Sequence, residues 1–171
     1  MVARTCTLKG NPLPLDGPEL KAGDTAPDVS LKRSLTDNLK ISETNGRVRI
    51  LSVVPSLDTP VCAEQTKRFN QEATNLPDVD FLTISCDLPT GMARFCGAEG
   101  IDQERVRVLS DHQDVSFGRA YGTLIPSLRI ECRAIFVLDK EGTIQHAEYV
   151  PEVADHPNYD AALACARGLT S

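Results

Sequence analysis

Thr59-Pro60-Val61-Cys62 places a thiol at the start of what reads as a helix. Thr is favoured at the N-cap and Pro at the first helical position, so Cys62 falls at the third. A capping box would have Glu or Gln there, reaching back to the cap. This chain has instead a group that becomes an anion only on losing its proton. The unpaired amides and dipole of a first helical turn favour negative charge, and so favour the nucleophilic thiolate. The same amides suit the charge that develops on a peroxide oxygen as its O–O bond breaks. The Thr59 hydroxyl can donate to the sulfur or to a bound oxygen. A capped helix with a buried cysteine on its inner face accounts for the same four residues, so local pattern alone leaves both readings open.

The elements that must position this thiol are legible in the flanking pattern. Arg47 to Val54 is a nearly continuous apolar run ended by Pro55, as in a strand buried inside a sheet. A helix from Pro60 to Asn75 follows, with Cys62, Thr66, Phe69 and Ala73 on one face. Val79 to Ser85 and Val106 to Leu109 are further strands. A short helix is expected over Thr90 to Phe95, stopped by Gly97 and Gly100, and another over Asp114 to Tyr121, closed by Gly122. Arg133 to Leu138 and Thr143 to Val150 form an antiparallel hairpin about Asp139 to Gly142, and Asn158 to Arg167 is a last helix stopped by Gly168. Upstream, Thr5 to Leu8 and Leu13 to Leu15 flank a turn with Gly10-Asn11 at its centre, and Asn38 to Ile41 is a short strand. This order predicts an α/β fold of thioredoxin-like type, a mixed central sheet flanked by helices, with an N-terminal β-hairpin over residues 1–17. No repeat or linker divides the 171 residues, so one domain over 1–171 is expected.

Apolar content of 41% and charged content of 25% are those of an ordinary globular chain. A formal charge of -6, with no basic run, argues against a nucleic-acid partner. No stretch approaches the roughly 18 continuous apolar residues of a membrane span. The first ten residues lack the apolar core of a secretory signal, so the expected location is cytoplasmic. The six cysteines are Cys6, Cys62, Cys86, Cys96, Cys132 and Cys165. They are scattered, with no CxxC pair, which removes zinc-ribbon and thioredoxin-motif readings. His112, His146 and His156 look like loop or surface residues with no motif around them, so a Cys–His hydrolase and a histidine metal site both lack support.

Pro55-x-x-x-Thr59-x-x-Cys62 resembles the active-site motif of peroxiredoxins. The longer string from Pro55 to Asn70 is similar to their thiol peroxidase branch, and so are Arg94 to Gly100, Cys132 to Asp139 and Pro157 to Ala164. Lys9 to Pro12 and Lys21 to Pro27 also fit, so the resemblance spans essentially the whole chain in order. It implies that Cys62 is the peroxidatic nucleophile and that Thr59 hydrogen-bonds the peroxide. It further implies that Pro55 shields the site and that Arg133 holds the thiolate and polarises the substrate. A guanidinium suits that last role because it stays charged. Without the resemblance, Arg133 reads as a surface arginine at a strand start.

The same resemblance names Cys96 as the resolving cysteine, forming a Cys62–Cys96 disulfide that thioredoxin then reduces. It implies hydrogen peroxide and alkyl hydroperoxides as substrates, a role in antioxidant defence, no cofactor or metal, and a homodimer. Bridging requires the two Cα atoms to come within about 7 Å, so one or both segments must open if they start farther apart. Cys6, Cys86, Cys132 and Cys165 read as packing residues. Strand alternation points Cys132 to the face opposite Arg133. Two other readings share these residues: a redox sensor that signals through the same disulfide, and a thioredoxin-fold binding module without chemistry.

Overall fold

Six consecutive residues, Val48–Val53, are all buried, as befits a strand covered on both faces. The computed structural model describes residues 3–170. Met1, Val2 and Ser171 lie outside the described residues, so the outer limits of the expected 1–171 domain and 1–17 extension do too.

The strands are, in chain order, β1 Thr5–Leu8, β2 Asn11–Pro14, β3 Ser30–Lys32, β4 Asn38–Lys40, β5 Val48–Val53, β6 Val79–Ser85, β7 Val106–Ser110, β8 Leu124–Ile125, β9 Ile130–Glu131, β10 Ala134–Leu138 and β11 Ile144–Tyr149. The helices are α1 Pro60–Asn75, α2 Pro89–Glu99, α3 Ser116–Tyr121 and α4 Tyr159–Thr170. The main sheet runs β11-β10-β5-β6-β7-β3-β4. Its centre, β5-β6-β7, is parallel, and β10-β11 and β3-β4 are added antiparallel on either side. The mixed sheet and the antiparallel β10-β11 hairpin agree with the sequence reading.

Period-2 alternation splits the apolar residues into two cores. Val48, Ile50, Phe81, Val106, Ile135 and Val137 face α1, α2 and α4. Leu51, Val53, Leu82, Ile84, Leu109 and Phe136 face the opposite way, where α3 contributes Phe117 and Tyr121. The face predicted for α1 is the one it buries, with Cys62, Thr66, Phe69 and Ala73 all inside. The β1-β2 hairpin stands off the main sheet and covers a third, smaller cluster of Cys6, Ile125, Cys132 and Val153. Among the described residues no helix is long and apolar enough to cross a membrane.

Several boundaries differ from expectation, each for a local reason. The hairpin turns on Lys9-Gly10, both at positive φ, and Asn11 already pairs with Leu8. Two left-handed residues give a tight loop whose twist matches the strands, which the expected Gly10-Asn11 centre would not have produced in this register. Helix α2 runs through Gly97 and stops only at Gly100, whose left-handed backbone forms the cap. A glycine inside a helix costs only about 1 kcal/mol, so tertiary packing overrides it. By the same weakness Gly168 fails to stop α4. Helix α3 starts late, because Val115 adopts φ 50 and the Asp111 carboxylate accepts from the amides of Phe117 and Gly118 instead. Strands β3, β8 and β9, of three or two residues, are too short for any periodicity to reveal.

Gly122 caps α3 at φ 69, packed so closely that a Cβ there would overlap the Pro18 carbonyl. Gly122→Ala is expected to destabilise the fold by about 3 kcal/mol, through both the overlap and the positive φ. The check is the urea midpoint, which should fall while the m value stays constant.

Candidate active site

Cys62 sits at the end of a chain of local decisions. Strand β5 ends at Val53, Val54 still donates its amide to the Ile84 carbonyl at 2.9 Å, and buried Pro55 stops further pairing. Ser56 to Thr59 then turn back, with the Thr59 amide and hydroxyl both donating to the Ser56 carbonyl at 3.1 and 2.9 Å. Thr59 holds the N-cap position with extended backbone, but its side chain makes no cap bond. The position was legible in the sequence. The hydroxyl, which the sequence reading allowed to donate to the sulfur or to a bound oxygen, donates here to the preceding turn. Pro60 follows as the first helical residue and Cys62 as the third, so the thiol lies in the first turn as read.

Cys62 is fully buried. Its Sγ accepts a hydrogen bond from Arg133 Nη2 at 3.3 Å. Arg133 is no surface residue: only 1% of it is exposed, which overturns the reading from strand position alone. Its Nε and Nη2 donate to the Val153 carbonyl at 3.1 and 2.9 Å, and Nη1 donates to Gln65 Oε1 at 2.8 Å. Gln65 is held in turn by donating to Ser52 Oγ at 2.7 Å. Among the described residues no carboxylate forms an ion pair with Arg133. A buried cation surrounded by neutral acceptors is costly to keep, and an anion beside it relieves that cost. The Cys62 sulfur is the group beside it.

Three residues that sequence reasoning passed over complete the surroundings. Gln65 lies on the buried face of α1, one turn after Cys62, a spacing that could have flagged it. Tyr159, at the start of α4, packs edge-on against Phe69, and its hydroxyl bonds His156 Nδ1 at 2.8 Å. Burial pushes that phenol up to about 12, opposed by the charges of Arg133 and Arg68, so it stays neutral. Asp87 accepts from Ser56 Oγ at 2.8 Å, from the Leu57 amide at 2.8 Å and from Ser85 Oγ at 2.7 Å, and so holds the loop before Cys62. Nothing in the sequence pattern marks Asp87, since its partners come from a different part of the chain.

Cys96 is buried inside α2 and belongs to the same apolar core as Cys62. Both are free thiols. Burial raises the pKa of Cys96, so it rests as a neutral thiol. Two ion pairs tie the two cysteine-bearing segments together outside the core: Lys67–Glu99 at 2.6 Å and Arg94–Asp58 at 3.5 Å. A cavity of about 490 Å³ opens between this loop and α2, lined by Leu57, Asp58, Asp87, Leu88, Thr90, Gly91 and Arg94 rather than by Cys62.

The remaining thiols fit packing roles. Cys6 and Cys132 are buried together, and Cys132 does face away from Arg133 as alternation required. Cys165 is half-buried on α4. Burial raises the thiol pKa of all three. His156 is exposed beside Glu64, whereas His146 lies on strand β11, not in a loop. Cys86, Asp111 and Glu131 bring three potential ligand atoms within 4.8 Å of one another. Their atoms are already engaged: Asp111 with two amides, and Glu131 with the Thr123 hydroxyl and the Cys86 thiol. Burial above all, then the neighbouring Asp111, pushes Glu131 up to about 8, and burial raises Asp111 as well.

The chain resembles known proteins over nearly its full length. The Redoxin family model matches residues 21–163. A thiol peroxidase of Bacillus subtilis is 48% identical over 163 residues, covering 95% of this chain and 96% of the relative. A thiol peroxidase of Oceanobacillus iheyensis is 49% identical over 158 residues, covering 92% and 95%. Among solved structures, a peroxiredoxin-like protein from Aquifex aeolicus superposes with TM-score 0.90 at 39% identity, covering 98% of both chains. A thiol peroxidase from Chromobacterium violaceum has TM-score 0.84 at 19% identity over 96% and 95%, and shows likeness of fold alone.

The buried Glu131 makes a pH-dependent contribution of definite sign. The fold holds a proton on this residue at pH values where the unfolded chain releases it. That stabilisation is complete below about 4.5 and is lost as pH rises toward about 8. Glu131→Gln should flatten this decline across that window, measured as urea stability against pH.

Proposed function

The chain belongs to the Redoxin family, in the thiol peroxidase branch of the peroxiredoxins, and from that premise we propose that Cys62 is its peroxide-reducing thiolate, resolved by Cys96. The observation that supports this most is the Arg133 guanidinium donating to Cys62 Sγ at 3.3 Å, with no carboxylate among the described residues paired with it. The charge favours the thiolate before reaction. It then favours the leaving oxygen as negative charge moves there, together with the first-turn amides of α1.

The cycle has three balanced steps. The Cys62 thiolate attacks the terminal oxygen of a hydroperoxide ROOH; the S–O bond forms as the O–O bond breaks, and RO⁻ leaves to be protonated to ROH. The sulfenic acid so formed condenses with the Cys96 thiol, forming S–S and releasing water. An external dithiol, a thioredoxin, then reduces the disulfide by exchange. Hydrogen peroxide and alkyl hydroperoxides share the bond that breaks, and both are substrates in this reading. Pro55 excludes water beside the sulfur. Thr59 orients the peroxide by turning its hydroxyl from the Ser56 carbonyl to the bound oxygen. No cofactor takes part, and a homodimer in the cytoplasm is the expected working state.

Both cysteines lie within helices and are covered, so the second step needs an opening of α1, α2 or both. Its product, the Cys62–Cys96 bond, is what a reductant recognises.

Steady-state hydroperoxide consumption with a thioredoxin system tests the reading. The wild type should turn over many times per chain; one stoichiometric burst would instead indicate a sensor. Cys62→Ser should consume nothing. Cys96→Ser should complete the first oxidation and stop, and full cycling there would mean another resolving residue. Arg133→Gln should lower the rate of the first step by roughly 10²–10³-fold, the scale of removing one donor to developing charge.

A further inference from the structure

Asp87 lies between β6 and α2, two residues before Pro89 opens the helix that carries Cys96. Its carboxylate nevertheless reaches back to the loop that leads into Cys62. One oxygen accepts from Ser56 Oγ at 2.8 Å; the other accepts from the Leu57 amide at 2.8 Å and from Ser85 Oγ at 2.7 Å. The Asp87 carbonyl accepts from Ser110 Oγ on β7, which fixes the post itself to the sheet. On the other side of the tether, Ser56 is the residue whose carbonyl receives both donors of Thr59. One carboxylate therefore links the sheet, the root of α2 and the turn on which α1 is built.

We propose that Asp87 is a positioning residue whose tether holds the Ser56–Thr59 turn closed and thereby sets how oxidised Cys62 divides between disulfide and sulfinic acid. This deepens the reading above and rests on it.

The physical case follows from what must move. Cys62 is fully buried beneath Arg133, and an opening that frees its sulfur for Cys96 from the α1 side unwinds or shifts the first turn of that helix. Movement there pulls on Thr59 and Ser56, and the Asp87 bonds resist it. They are hydrogen bonds to a charged acceptor and partly buried, the kind that contribute more than neutral ones. The Asp58–Arg94 ion pair spans the same gap, but both side chains are about three-quarters exposed, so it contributes little.

While the turn is closed, the sulfenic acid faces a second hydroperoxide: Cys–SOH plus ROOH gives Cys–SO₂H plus ROH. Once it opens, the same group condenses with Cys96 and releases water. A tight tether therefore favours the first oxidation, by keeping Cys62 under Arg133, and slows the second step. Loosening it should move the two in opposite senses, which general damage to the site would not do.

The test uses Asp87→Asn, which keeps the shape but turns an amide NH₂ toward one of its donors, and Ser56→Ala, which removes one tether and leaves Asp87 in place. Each is compared with wild type by thermal midpoint, by quenched-flow mass spectrometry of Cys62 oxidation, and by the sulfinic fraction at graded excess of hydrogen peroxide. Asp87→Asn should oxidise about tenfold more slowly, yet need about fivefold more peroxide for half conversion to sulfinic acid. Ser56→Ala should move both quantities the same way by less, and decides the matter if Asp87→Asn does not fold. A folded variant with unchanged partition, or with more sulfinic acid than wild type, overturns the proposal. Absence of any Cys62 oxidation in the wild type is a different result: it removes the peroxidase reading itself, and this inference with it.

Discussion

The contact between Arg133 and Cys62 is the interaction on which the rest of the site depends. Taking a guanidinium out of water costs about several kcal/mol even after relaxation. Arg133 recovers part of that through the Val153 carbonyl and Gln65, both neutral. Arg49, another fully buried arginine, also bonds neutral groups, but the carboxylates of Asp139 and Asp80 are near enough to support its charge. Among the described residues Arg133 has no carboxylate in an ion pair with it, and the group beside it is the Cys62 sulfur.

Holding that contact constrains three separate parts of the chain. Gln65 needs α1 in register with β5, because it is fixed through Ser52. Val153 must sit where its carbonyl meets two guanidinium nitrogens, and its own amide donates to Thr7 of the N-terminal hairpin at 2.8 Å. The hairpin, which stands off the main sheet, thus supports the segment that aims Arg133. The loop into α1 is held by Asp87, from the connection between β6 and α2. Each of the site's supports thus belongs to a different element.

That distribution explains which parts could be read in advance. Strand β5, the bounds of α1, its buried face and β6 follow from apolar periodicity and from a proline at a helix start, and these are local. Helix α2 was read too short because Gly97 looked like a stop, while a mid-helix glycine is only mildly unfavourable against the burial of Met92 and Cys96. Thr59 was placed correctly, yet its hydroxyl belongs to the turn before it. Arg133 could not be told from a surface arginine by composition or spacing; its burial exists only because β10 pairs with β5 and brings it over α1.

The thiol at a helix start, which opened the reading, was determined by four adjacent residues and the electrostatics of any first helical turn. Full burial of Cys62, the guanidinium beside it, the Gln65 support and the Asp87 tether were decided by tertiary structure alone. The physical reason is range. Caps, turns and periodicity act over a few residues, whereas Cys62 meets a guanidinium 71 residues away, and Ser56 a carboxylate 31 residues away. Contacts of that span appear only once the sheet has assembled.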